Sequence, residues 1–409
     1  MQEPSREPRR PPPAFPLTVL TGFLGAGKTT LLNRLLQDPA LADTLVLINE
    51  FGEIGLDHLL VEKVDGDLVI MTSGCLCCTV SGDLTNTLED LLRRRDNNRI
   101  KPFNRVIIET TGLADPAPVL HTLMYHPYLM LRFRLDGVVT LVDTLNGMTI
   151  LDRHAEAVKQ VAVADRLVLT KTDLLSDDAD GKAKGAALRA RLAALNPTAL
   201  QFDAARGEAD AAHLLNIGLY DPDRKIPDVR RWLNAEALMA PKGDHHHHHD
   251  HGHAHGDHGH DDHGHDGHEQ GRLHQHAHDP NRHDAKIRAF ALRHADPVPL
   301  AALDMFLELL RTAHGQHLLR VKGIIALADD PSRPLVIHGV QHMFHPPARL
   351  DAWPDDDHTT RIVFILHDLE PAFVEALWRG FTNLAAPDTP DRTALTQNPL
   401  KPIQGGLLG

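Results

Sequence analysis

Residues Leu17–Leu32 read LTVLTGFLGAGKTTLL. A leucine- and β-branched run ends at Gly22, the pattern Gly22-x4-Gly27-Lys28-Thr29 follows, and Thr30–Leu36 continues as a helix. A glycine-rich turn between a buried strand and a helix is the setting in which backbone N–H groups wrap phosphate oxygens and the helix dipole adds positive charge. Gly22, Gly25, Ala26, Gly27, Lys28, Thr29 and Thr30 are therefore expected to cradle a nucleoside triphosphate. Lys28 would reach the β- and γ-phosphates as a catalytic charge, and the Thr29 hydroxyl would ligate Mg²⁺.

Working outward, 409 residues suffice for two domains, with apolar and charged contents of 42% and 24% that suit a globular protein. The net charge of −13 argues against general nucleic-acid binding. The three cysteines all fall within Cys75–Cys78. Such crowding points to metal or redox chemistry in a reducing compartment rather than to a disulfide framework. The basic, proline-rich start lacks a cleavage pattern, and no run of 18 apolar residues occurs. A cytoplasmic protein without a membrane span is expected.

Apolar strands at Thr44–Asn49, Asp67–Met71, Arg105–Glu109, Gly137–Asp143 and Arg166–Thr170 alternate with helical stretches, one of them about Ser81–Arg95. This predicts an α/β P-loop NTPase domain, its mainly parallel sheet covered by helices on both faces. From Asp244 to Asp284 the chain is mostly His, Gly and Asp, holding more than half of its 30 histidines. That composition cannot bury a core. Beyond it, a strand, a helix, three strand-like runs and a closing helix predict a small C-terminal α+β domain. The expected division is a disordered proline-rich tail (1–16), the nucleotide domain (17–240), a flexible His-rich metal-binding loop (241–285), the α+β domain (286–384) and a loose tail (385–409).

Three further groups carry chemistry. Glu109, at a strand end and followed by Thr110-Thr111-Gly112, is placed to orient a Mg²⁺-bound water, with Gly112 letting the backbone approach the γ-phosphate. Thr170-Lys171-Thr172-Asp173 offers a carboxylate that accepts both guanine N1 and N2 hydrogens, while the Lys171 stem lies along the base; Asn is more usual where Thr170 stands. Cys75, Cys77 and Cys78 are soft thiolate ligands suited to Zn²⁺, and a tetrahedron needs a fourth donor. The acidic segment Glu50–Asp57 supplies candidates, Glu50 first and Glu53 next. His338, His342 and His345 read as structural or surface histidines.

Together these residues resemble the CobW-type metallochaperone GTPases, relatives of the GTPases that deliver nickel to urease and hydrogenase. The resemblance rests on Gly22–Thr30, Asn49–Glu53, Gly74–Cys78, Glu109–Gly112 and Thr170–Asp173. In the C-terminal half it rests on Arg320–Gly323, Gly339–His342 and Trp353-Pro354. It covers about Leu17–Gly380 and implies a CobW-type C-terminal domain. It also implies that GTP and Mg²⁺ order the Glu50–Asp57 segment as a switch beside the cysteine site, so that hydrolysis promotes metal transfer. No glutamine stands ready to orient the attacking water, which leaves Glu53 or Asp57 for that catalytic role. The expected cargo is Zn²⁺; Co²⁺ for corrinoid synthesis, another metal for nitrile hydratase, or Ni²⁺ are alternatives, as is a metal buffer with vestigial nucleotide binding. Expected partners are GTP, a transition-metal ion, an unidentified client metalloprotein and a second copy in a metal- or nucleotide-dependent homodimer, with no nucleic acid and no membrane.

Overall fold

The computed structural model describes residues 14–49, 68–71, 80–217 and 286–382. Seven parallel strands form the first sheet: β1 (Phe15–Gly22), β2 (Thr44–Asn49), β3 (Leu68–Met71), β4 (Arg105–Glu109), β5 (Phe133–Asp143), β6 (Arg166–Thr170) and β7 (Leu200–Asp203), in the order β3-β2-β4-β1-β5-β6-β7. Side chains alternate along a strand, and here both faces are buried. Leu17, Val19, Leu45, Leu47, Val106 and Ile108 pack to one side under helices α2 (Val80–Asp96) and α3 (Ala117–Tyr125). Leu20, Val46, Ile48 and Ile107 pack to the other, against α1 (Lys28–Leu36). That two-sided burial is why these strands read as nearly unbroken apolar runs. The first strand starts at Phe15, so Phe15 and Pro16 belong to the sheet rather than to the expected tail; Pro16 lies opposite Arg134 of β5. No helix among the described residues is long and apolar enough to cross a membrane.

The chain turns from β1 towards β2 on one side and reaches β5, β6 and β7 on the other, so β1 marks a topological switch point. Ligands of open parallel sheets bind outside the carboxyl ends of the strands at such a point. The helices beyond α3 are α4 (Pro127–Arg132), α5 (Gly147–Arg153), α6 (Ala155–Ala162), α7 (Ala179–Leu195) and α8 (Ala211–Leu214).

The second unit holds β8 (Ile287–His294), α9 (Leu300–His314), β9 (Leu318–Ile325), β10 (Leu335–Val340), the short β11 (Met343–Phe344) and β12 (Ala348–Arg349), β13 (Thr360–His367) and α10 (Pro371–Thr382). Its sheet is antiparallel, in the order β11-β10-β9-β13-β8 with β12 beside β10. Both helices cover one face, where Phe306 meets Trp378 edge to face at 4.9 Å.

The other face rests on the first domain. Ala162 packs against Leu319 and Ile365, and Val340 and Met343 join the core beneath α3. Alternation along β9 sends Arg320 and Lys322 to this side. There Arg320 donates to the Val163 carbonyl (2.9 Å) and forms an ion pair with Asp165, whose carboxylate also lies 3.2 Å from Lys322 Nζ. All three side chains are essentially inaccessible to water. The second Asp165 oxygen accepts from the Val138 N–H at 3.0 Å. His338, opposite Lys322 in the ladder, is buried with its ring 5.4 Å from that of His345. Burial, with Arg320 close by, holds both imidazoles neutral: His338 is well below its ordinary range and His345 is lowered to about 3. These two histidines are structural, as expected. His342 instead lies at the domain seam, its ring 5.0 Å from His121 of α3.

Candidate functional site

Four loops leave the carboxyl ends of β1, β4, β6 and β7 on one edge of the sheet. In the first, Gly22 takes φ 141° and a side chain there would strike the Leu141 carbonyl at 2.6 Å. Gly25 (φ 70°) and Gly27 (φ 87°) occupy the left-handed region, which carries the chain round into α1 with Gly27 as its N-cap. Lys28 folds back over the loop, its Nζ donating to the carbonyls of Gly22 (3.0 Å) and Phe23 (3.3 Å). Ala26 is buried and Thr30 is exposed on the first helical turn.

Glu109 reaches this loop from the end of β4, where it pairs in register with Leu20 of β1. The Thr29 hydroxyl donates to its Oε1 at 3.1 Å, and the carboxylate is 4% exposed. A hydroxyl and a carboxylate at the N-terminus of a phosphate-loop helix are the hard oxygen donors that Mg²⁺ takes. The donor set that Thr29 and Glu109 present fits that ion. Thr110 is pinned to β1 by its N–H on the Leu20 carbonyl (2.9 Å) and by its hydroxyl on Thr21 (2.8 Å). Gly112 follows so close to the phosphate loop that a Cβ would lie 2.5 Å from the Leu24 nitrogen.

The third loop explains the unusual Thr170. Its hydroxyl donates to the Ala26 carbonyl at 2.9 Å and fastens the phosphate loop to β6. Lys171 sits at φ 59° with its ammonium 2.8 Å from Asp143, a carboxylate at the end of β5. Burial works to raise the Asp143 carboxyl, but Lys171, Asn146 and the Leu145 N–H hold it below the usual carboxylate range. Asp173 is exposed in the turn that follows. Thr172 donates to buried Asp203 at 2.5 Å, and Asp203 also accepts from Arg189 (3.0 Å) and the Ala205 N–H (3.1 Å). The turn after β7 is thereby bound to the turn after β6.

The structure thus brings together Gly22, Gly25, Ala26, Gly27, Lys28, Thr29, Glu109, Gly112 and Thr170, with Thr30, Lys171 and Asp173 at the rim. Glu50, Glu53, Asp57, Cys75, Cys77 and Cys78 lie outside the described residues, as do residues 1–13, the His-rich segment and residues 385–409. Among the described residues no group of three or more His, Cys, Asp or Glu is arranged to hold a metal ion. Asp143 and Asp203 escaped the sequence reading. The signal for Asp143 was present, since a carboxylate ending a buried parallel strand is the feature that marked Glu109.

Comparison with known proteins places this geometry. Residues 16–200 match the CobW/HypB/UreG nucleotide-binding domain, and residues 287–382 match the cobalamin synthesis protein cobW C-terminal domain. The chain is 30% identical over 365 residues to the zinc chaperone YjiA of Escherichia coli K12, spanning 89% of this chain and 98% of that one. It is 31% identical over 401 residues to the zinc chaperone CobW of a Sinorhizobium species, spanning 88% and 96%. Among solved structures, Zn(II)-bound YjiA GTPase from E. coli superposes with a TM-score of 0.60 at 28% identity, covering 90% of this chain and 99% of that one.

Proposed function

The chain belongs to the CobW family, and from that premise we propose that it is a GTP-hydrolysing metallochaperone that binds Zn²⁺ at Cys75, Cys77 and Cys78 and couples hydrolysis to metal transfer. GTP–Mg²⁺ is held by Gly22–Thr30, with Lys28 on the β/γ-phosphates and Thr29 on the ion. Glu109 orients a Mg²⁺-bound water, the Gly112 backbone meets the γ-phosphate, and Asp173 selects guanine beside the Lys171 stem. Glu53 or Asp57 orients the attacking water.

One observation carries the coupling. Strand β2 ends at Asn49 opposite Met71, the end of β3, and Ile48 lies opposite Glu109. The chain therefore enters the acidic segment and the cysteine segment from the same sheet edge that presents Glu109. Cys75 follows Met71 by four chain steps, a reach of at most about 14 Å. On this reading the thiolates share a switch with the nucleotide, and Glu50 completes their tetrahedron. The relatives' names, both zinc chaperones, support zinc as the cargo.

A zinc titration of the chain lacking residues 241–285 tests the site. Loss of an outer-shell partner costs a metal site about 10–100-fold in affinity, so Cys77→Ser/Cys78→Ser, which removes two ligands outright, should exceed that loss. Unchanged affinity would remove the cysteines from the metal site. Tighter, cysteine-dependent binding of Co²⁺ or Ni²⁺ than of Zn²⁺ would keep the machine and change its cargo.

A further inference from the structure

Gln160 lies on α6 among Ala157, Val158 and Val161, 1% exposed, and is the polar residue among the buried side chains of that helix. Its side-chain amide spends both hydrogens on one loop: Nε2 donates to the Gly112 carbonyl at 3.2 Å and to the Ala114 carbonyl at 2.9 Å. Its own main-chain carbonyl accepts from the Thr140 hydroxyl of β5 at 2.8 Å. On the opposite side Gly112 is pressed against Leu24 of the phosphate loop. The Gly112–Ala114 segment is thus gripped between α6 and the phosphate loop.

We propose that Gln160 is a positioning residue for GTP hydrolysis. In a trans peptide the C=O and the following N–H point in opposite directions. Tying the Gly112 and Ala114 oxygens to α6 therefore turns the Leu113 and Asp115 N–H groups away from that helix. A loop whose peptide planes are set in advance meets the γ-phosphate without reorganising, the property that makes fixed dipoles effective in a transition state. The carbonyls need a buried donor on α6, and a hydrocarbon or a carboxylate there supplies none.

The inference rests on Gly112 as the γ-phosphate contact, so Gly112→Ala is measured beside Gln160→Met and Gln160→Glu in the full chain. Each Gln160 variant is expected to slow single-turnover GTP hydrolysis about tenfold or more, roughly 1.4 kcal/mol. GDP affinity should stay within about twofold, while the preference for a non-hydrolysable GTP analogue over GDP shrinks. Wild-type rates in both Gln160 variants with a slow Gly112→Ala would overturn the clamp alone; wild-type rates in all three would also overturn the Gly112 reading. Equal loss of GDP and analogue binding in the Gln160 variants would make the residue a fold support and overturn the proposal. Amide exchange on the wild-type chain needs no variant: the Ala114 N–H, which donates to the Thr111 carbonyl at 3.1 Å inside the gripped segment, should be protected in the GDP state, and open-loop exchange there would contradict the clamp.

Discussion

Lys28→Ala is expected to lower kcat for GTP hydrolysis about 10²–10³-fold, the range for removing one preorganised electrostatic donor from a reacting oxyanion. The structure adds a second consequence. The ammonium bridges the carbonyls of Gly22 and Phe23, so its loss also frees the loop that Gly22, Gly25 and Gly27 shape. GDP binding should weaken as well, though less than turnover, because the γ-phosphate contact is made only with GTP. Single-turnover hydrolysis with GTP prebound separates the two effects. A rate within twofold of wild type would remove Lys28 from the chemistry.

Asp165→Asn is expected to cost about 3–5 kcal/mol of stability, the penalty for removing one partner of a buried ion pair. The substitution leaves the Arg320 guanidinium and the Lys322 ammonium together in a dry domain interface. Burial, aided by Arg320, already pulls Lys322 down to about 7 against the opposing pull of Asp165. Replacing all three by apolar residues of similar volume should recover most of the loss, since no buried charge is then stranded. Urea unfolding followed by a probe in the second domain measures both variants; a loss under 1 kcal/mol for Asp165→Asn would contradict the account. The same region sets an acid response. His338 and His345 stay neutral when folded and protonate when unfolded, so the unfolded state binds more protons and stability falls as pH drops below about 6.5. Two such groups give a slope approaching 2.7 kcal/mol per pH unit, about 1.36 for each, which His338→Gln/His345→Gln should flatten.

The phosphate loop and its sheet were legible because glycine spacing and two-sided apolar strands are local signals. Thr170 looked like a departure from an Asn and proved to be a hydroxyl tether on Ala26, a role two short polar side chains can share. Strand β5 was expected from Gly137 and begins at Phe133. Asp136 reads as a strand breaker, yet Arg105, Thr18 and the N–H groups of Asn216 and Ile217 satisfy it in the interior. β7 was missed because it is a short edge strand, half-buried along most of its length. The grip of Gln160 on Gly112 spans 48 residues, and Arg320 finds Asp165 across 155. No periodicity in either segment announces a partner so far away.

The most direct test of the account is the Zn²⁺ affinity of the chain without residues 241–285, measured with Mg²⁺ and either GDP or a non-hydrolysable GTP analogue. Coupling of the usual strength, about 1–3 kcal/mol, predicts affinities that differ by about 5–150-fold between the two nucleotides, and zinc must shift their relative affinity by the same factor. Equal zinc affinities in the two states would contradict nucleotide-driven delivery and leave a GTPase and a metal site that ignore each other.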